Sequence, residues 1–107
     1  MDTAFRALAE PRRREILHHV WSRELAATEI AAFFHDVTRS AISQHLTVLR
    51  QADLITERRD GVRRLYRANH LEMDRLRRYL EQYWGESLHR LQDLAETAEH
   101  EKGTIDG

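Results

Sequence analysis

The run ATEIAAFFHDVTRSAISQHLTVLRQ, residues 27–51, restricts the fold more than any other stretch of the chain. Its first part carries Ile30, Phe33 and Phe34 at helical spacing, with Thr28 as the expected cap, and its last part predicts a helix capped by Thr38 and running to about Gln51. Only His35 to Val37 separate the two. Two short helices joined by so tight a turn predict a helix-turn-helix. Directly afterwards the period changes: LITERRDGVRRLYRA has two extended arms flanking Asp60-Gly61. Asp-Gly between such arms signals a two-residue hairpin loop, in which both turn positions take positive φ. Ile55, Val62, Leu65 and Tyr66 are the candidates for its packed side.

The flanks are helical. Asp2 or Thr3 is placed to cap a short helix carrying Phe5 and Leu8, and Pro11 sits where a first helical turn tolerates proline, ahead of Ile16, Leu17 and Val20 on one side. Asn69, with Glu72 three residues on, resembles a capping box for a last helix reaching about Glu96. The fold class expected is therefore mainly α with a small β-hairpin, a winged helix-turn-helix in the order α-α-α-α-β-β-α, dimerised through its terminal helices. Residues 1–98 form the expected DNA-binding domain, with a dimerisation helix over about 70–97 and a flexible tail over 99–107.

Charge is distributed unevenly. Residues 1–70 sum to +3 and residues 71–107 to −4, so the front of the chain is the half suited to a polyanion. Taking about 100° per residue along the fourth helix, Ile42, Leu46 and Leu49 share one side, and Ser40, Ser43, Gln44, Thr47 and Gln51 the other. That second side holds no charge. Hydroxyls and amides on a helix surface are what base edges and phosphates hydrogen-bond in a major groove, and Gln44 is able to pair adenine through two bonds. Arg39 and Arg50 flank this face, within reach of a phosphate backbone. The hairpin adds Arg58, Arg59, Arg63, Arg64 and Arg67, of which Arg63 and Arg64, beside the turn, are the foremost candidates for phosphate or minor-groove contact, with Arg59 close behind. The DNA-binding set expected is Arg39, Ser40, Ser43, Gln44, Thr47, Arg50, Arg59, Arg63 and Arg64.

The last helix carries Met73, Leu76, Leu80, Tyr83, Trp84, Leu88, Leu91, Leu94 and Ala98, an apolar stripe longer than so small a domain covers by itself. A homodimer accounts for the excess, through Leu76, Leu80, Tyr83, Trp84, Leu88 and Leu91 together with Phe5 and Leu8 of the first helix. Gly85 within the stripe predicts a kink or a close helix approach.

The chain has no cysteine, which excludes disulfides and thiolate metal sites, but it has seven histidines. His45 falls at the edge of the buried side of its helix and reads as a packed residue with one hydrogen bond. His18 and His19 are neighbours that diverge by about 100°, His35 lies in the turn, His70 at a helix start, and His89 one turn from Asp93. No nucleophile, base and orienting group share a recognisable spacing, and no glycine loop cradles a phosphate. An enzyme is not expected. The N-terminus MDTAFRALAEP lacks the basic and apolar blocks of a signal peptide, and no apolar run approaches a membrane span, so a cytoplasmic location with no membrane partner is expected.

FRALAEPRRREILHHV, ELAATEIA and VTRSAISQHLTVLRQADLITERRDGVRRLYRAN, followed by the long last helix, resemble the ArsR/SmtB family of bacterial winged-helix repressors over residues 4 to 97. The resemblance implies a homodimer that binds operator DNA and releases it on a signal, with the fourth helix in the major groove through Ser40, Ser43, Gln44 and Thr47. Two departures bear on metal. After Glu24-Leu25 the chain has Ala26 and Thr28 where metal sensors of the family carry Cys-x-Cys, and Asp74, Arg75, Leu76, Ser87 and Arg90 replace their other common ligand set. YLEQYWGESLHRLQDLAE looks instead like the branch without metal control. A homodimeric repressor on an inverted-repeat operator, with no cofactor and no metal, is the expectation; a metal-responsive repressor using His and carboxylate ligands across the dimer, or a winged-helix module for an acidic protein partner, are the alternatives.

Overall fold

The computed structural model describes the backbone of residues 1–106 and the side chains of residues 1–85, 90 and 93–97. In chain order the elements are α1 (Asp2–Leu8), α2 (Pro11–His19), β1 (Leu25–Ala26), α3 (Ala27–Ala31), α4 (Arg39–Gln51), β2 (Ile55–Asp60), β3 (Arg63–Ala68) and α5 (His70–Asp106). They divide into two compact units, Met1–Asp74 and Arg75–Gly107.

The first unit is built on end contacts that a periodicity reading does not reveal. α1 has no side-chain cap: Met1 precedes it, and neither Asp2 nor Thr3 acts as one. Its last carbonyls, which lack intrahelical donors, are instead taken by two arginines of α2. Arg13 donates to Ala7 O at 2.7 Å and Arg6 O at 3.3 Å, and Arg14 donates to Leu8 O at 2.7 Å. Cations at a helix C-terminus also oppose its dipole. α2 starts as expected, with Pro11 in its first turn and the Glu10 carboxylate accepting from Arg13 N. Ala4 and Ala7 are buried, together with Ile16, Leu17 and Val20, while Phe5 and Leu8 stay half-buried.

α3 corrects the expected cap. It begins at Ala27, before Thr28, and Glu29 Oε1 accepts from Ala26 N at 2.9 Å, tying the helix start to β1. Ile30 is buried within the helix, and beyond its end Phe34 turns inward while Phe33 is 43% exposed. It stacks on His19, ring centroids 3.8 Å apart.

α4 follows its expected bounds. Thr38 Oγ1 accepts from Ala41 N at 3.0 Å, and Ile42, Leu46 and Leu49 are buried. Its end is a Schellman motif: Asp53, at φ 60, donates from its N–H to Arg50 O, and Leu54 N to Leu49 O, each at 3.0 Å. Leu49 and Leu54 close the motif with fully buried side chains. Asn69 Nδ2 donates to Asp53 O at 2.9 Å and so helps hold the left-handed residue.

The hairpin corrects two expectations. Asp60 pairs with Arg63, so the loop is Gly61-Val62 rather than Asp60-Gly61, and within it only Gly61 has positive φ, at 64°. Glycine at the first loop position with an ordinary residue after it is the type II′ pattern. Val62, at the tip, is fully exposed rather than packed. Ile55, Leu65 and Ala68 are buried, and Tyr66 is half-buried. The sheet also holds a strand absent from the expected order: β1 pairs antiparallel with β3, Leu25 opposite Tyr66, giving the order β1-β3-β2. Two residues are too few to show a period in sequence.

Within the first unit, β3 and the start of α5 are tied back by Ala68 N to Val20 O and Asn69 N to Leu54 O, both 2.9 Å. Asn69 Oδ1 accepts from Glu72 N, which is one half of the expected capping box. α5 is continuous past Glu96, the end expected from sequence. Among the described residues, a Cβ added at Gly85 meets nothing within 4 Å. The side chains of the tail expected over 99–107 lie outside the described residues. The described structure is thus a mainly helical winged helix-turn-helix with a small antiparallel hairpin. Among the described residues no helix is long and apolar enough to cross a membrane.

Candidate nucleic-acid interface

The buried triad Ile42, Leu46 and Leu49 fixes how α4 is turned, and the opposite face follows from that. Ser40, Ser43, Gln44 and Thr47 are all exposed. They line a cleft of about 490 Å³ with Arg13, His45 and Val48. Thr47 donates its hydroxyl to Ser43 O at 3.0 Å, leaving its oxygen lone pairs outward. The face holds short groups able both to donate and to accept, with no fixed charge.

Two residues of this cleft carry a connection that the sequence does not display. Arg13 Nη1 lies 3.4 Å from His45 Nδ1. His45 Nε2 lies 4.0 Å from Glu10 Oε2, so the ring stands between the Arg13 guanidinium and the Glu10 carboxylate. The same Arg13 side chain holds the end of α1. His45 is half-buried at the rim of the α4 surface rather than among its apolar anchors. The three-arginine run RRR in α2 was the available signal for Arg13, but nothing in that run tells which arginine turns inward.

The arginines divide by face. In the β2–β3 register, Glu57 stands opposite Tyr66 and Arg59 opposite Arg64, on one face of the hairpin; Arg58 stands opposite Leu65 and Asp60 opposite Arg63, on the other. The first face meets the end of α4, where Glu57 pairs with Arg50 at 2.5 Å and with Arg64 at 3.1 Å. On the second face lie Glu24, just ahead of β1, and Glu29 of α3. There Arg58 makes two bonds to Glu24, at 2.6 and 2.9 Å, and Arg63 approaches Glu29 at 4.0 Å. The bonds from Arg58, foremost, hold the Glu24 carboxyl below its ordinary value. Burial, and then the charge of Glu57, push the Tyr66 phenol up.

The nine residues expected to meet DNA are therefore placed in two groups. Arg39, Ser40, Ser43, Gln44, Thr47, Arg50, Arg59 and Arg64 lie on α4 or on the hairpin face turned to it, whereas Arg63 lies on the other face. Among the described residues, Arg39 and Arg59 form no ion pair.

Of the residues expected at a dimer interface, Tyr83 and Trp84 are 62% and 49% exposed, Phe5, Leu8 and Leu80 are half-buried, and Leu76 is buried. The side chains of Leu88 and Leu91 lie outside the described residues, as does that of His89. Among the described residues no three His, Asp or Glu side chains gather in a way that could hold a metal ion.

Comparison with known proteins bears on this arrangement. A family described as "Helix-turn-helix domain" matches residues 8–58, from the end of α1 into the hairpin. An HTH-type transcriptional regulator of Mycobacterium tuberculosis is 38% identical over 87 residues, which is 81% of this chain and 80% of that protein. The transcriptional repressor SdpR of Bacillus subtilis is 36% identical over 61 residues, 57% of this chain and 67% of that one. Among solved structures, an ArsR-like transcriptional regulator from Rhodococcus superposes with a TM-score of 0.74 at 30% identity, covering 92% of this chain and 90% of the other. With a matched helix-turn-helix, a shared winged fold over nearly the full length and relatives that are regulators rather than enzymes, the chain belongs to the ArsR family of helix-turn-helix DNA-binding transcriptional regulators.

Proposed function

We propose that the protein is a homodimeric repressor that binds an inverted-repeat operator, with α4 in the major groove and the hairpin face bearing Arg59 and Arg64 against the backbone. One observation carries this reading: the uncharged exposed face of α4, with Ser40, Ser43, Gln44 and Thr47, is bordered by Arg39, Arg50, Arg59 and Arg64. Such a surface reads bases with short polar groups and holds phosphates with cations at its edge. Arg63 reaches the backbone in this reading only where the groove wraps past the hairpin tip. Repression is supported by the relative SdpR, whose name describes it as a transcriptional repressor. Dimerisation is supported by Tyr83 and Trp84 of α5, large aromatic side chains that stay exposed among the described residues.

Selection of duplexes from a random pool, followed by mobility shift at two salt concentrations, tests the reading. The expected product is an inverted repeat, because half-site spacing follows the symmetry of a dimer, and binding weakens steeply as salt rises. Light scattering on the free protein should give twice the 12.7 kDa chain mass. A monomer, or binding indifferent to salt, would overturn it.

A further inference from the structure

The hairpin face turned toward α4 carries a carboxylate where phosphate is expected to approach, and charge alone argues against placing it there. Glu57 is nonetheless well seated: its side chain is 16% exposed, and its two oxygens are used separately. Oε2 takes Arg50 from the last turn of α4, and Oε1 takes Arg64 from β3. Thr47, Leu46 and Tyr66 complete a small polar cavity of about 70 Å³ around the three charged groups. One anion thus links a cation of the reading helix to a cation of the wing.

We propose that Glu57 is a positioning residue for DNA recognition, fixing Arg50 and Arg64 relative to each other so that α4 and the wing address the groove and its backbone in one register. The inference rests on the DNA-binding reading above. Arginine has many rotamers, and an unheld guanidinium follows whichever phosphate is near. Held in pairs on a shared carboxylate, the two guanidiniums present their remaining N–H donors along fixed directions. A duplex whose backbone fits that spacing gains both contacts, and one that does not fit gains fewer. Glu57 therefore lowers attraction to DNA in general while raising discrimination between duplexes. The triad carries a net charge of +1 as built and +2 without the carboxylate charge.

Glu57→Gln separates these effects, because it keeps the side-chain shape and removes the charge. Glu24→Gln, on the other hairpin face at the Arg58 pair, is the charge-matched control. Fluorescence anisotropy with the strongest duplex from the random pool and with a scrambled duplex gives the two affinities for each protein. For Glu57→Gln, scrambled-duplex affinity should rise about threefold, with a steeper salt dependence, and the selected-to-scrambled ratio should fall about tenfold. Glu24→Gln should leave the ratio within about twofold of the original. If Glu57→Gln proves poorly folded by its melting curve, Glu57→Asp keeps the charge but shortens the arm, and a lowered ratio without a gain in scrambled-duplex affinity is expected. An unchanged ratio in the folded variant overturns the inference, as does an equal fall in the Glu24→Gln control. Absence of salt-sensitive binding by the unaltered protein is a different failure: it removes the DNA reading itself, and this inference with it.

Discussion

α4 and the hairpin both present polar side chains to solvent, but they handle charge in opposite ways. The exposed face of α4 has no charge to neutralise, and Thr47 bonds back to Ser43 O of the same helix. The hairpin is dense in arginine, yet Arg58, Arg63 and Arg64 each lie beside a carboxylate, from Glu24, Glu29 and Glu57. A cation paired within the protein gains less from a phosphate than an unpaired one, because a bond must be exchanged rather than added. Counting arginines therefore overstates the electrostatic footprint of the wing. In the proposed reading the helix face discriminates between bases, Glu57 sets the register of Arg50 and Arg64 beside it, and the remaining wing arginines contribute a smaller, salt-sensitive share.

The largest change is expected from the hidden side of α4. Leu49 is fully buried and closes the Schellman contact with Leu54, so Leu49→Ala should cost about 2–5 kcal/mol of stability. Thermal or urea unfolding reads it directly. A loss under about 1 kcal/mol would mean that α4 is anchored by something other than its apolar face. Next in size is the exposed side: Gln44→Ala should keep the melting temperature and lose about 1–3 kcal/mol of binding to the selected duplex. Scrambled-duplex binding should not move. If selected and scrambled duplexes weaken together, α4 contributes affinity without reading sequence, and the contrast with the hairpin collapses.

The hairpin is sharpened by comparing two adjacent arginines. Arg59 forms no ion pair among the described residues and shares a face with Arg64, whereas Arg58 is bound twice by Glu24 on the other face. Arg59→Ala should reduce the slope of log affinity against log salt by about one, for every duplex alike. Arg58→Ala should change that slope by less. Equal slopes for the two variants would show that pairing in the free protein does not decide which arginines meet phosphate.

The same contrast explains what was legible in the sequence. α4 was readable because local rules suffice: Thr38 caps, and Ile42, Leu46 and Leu49 recur at helical spacing. The hairpin is legible from its arms, but Asp-Gly alone puts the loop one residue early, since the pair fits two turn types and the strand register decides between them. Which arginines are occupied was not readable at all. Glu24 and Arg58 are 34 residues apart, and only the fold brings them together. Arg13 is similar: its contacts with α1 and with His45, 32 residues away, depend on how α2 packs. β1 escaped because its strand character comes from pairing with β3 and not from its own residues.

The smallest effect concerns the turn between α3 and α4, on which the presentation of α4 depends. Phe33 stacks on His19, and the Arg23 guanidinium lies 5.5 Å from its ring centroid. Burial, and then the charges of His18 and Arg23, hold the His19 imidazole below its ordinary value, with Glu15 acting the other way. As pH falls through the ordinary value near 6.5, the unfolded chain takes up a proton before the folded one does. Folding stability therefore declines on acidification across the interval from 6.5 down to the lowered value, and is fully present above it. The loss should be under about 1 kcal/mol, because the ring is partly solvated. His19→Phe keeps an aromatic partner for Phe33 and removes the proton, so its melting temperature should fall less than that of the unaltered chain between pH 7.5 and pH 5.5. If acid loosens this turn, operator affinity should drop in the same interval while the part of the salt slope due to Arg59 stays constant, since arginine does not titrate there. Parallel pH profiles for His19→Phe and the unaltered protein would assign the acid sensitivity elsewhere and leave α4 and the hairpin equally indifferent to this histidine.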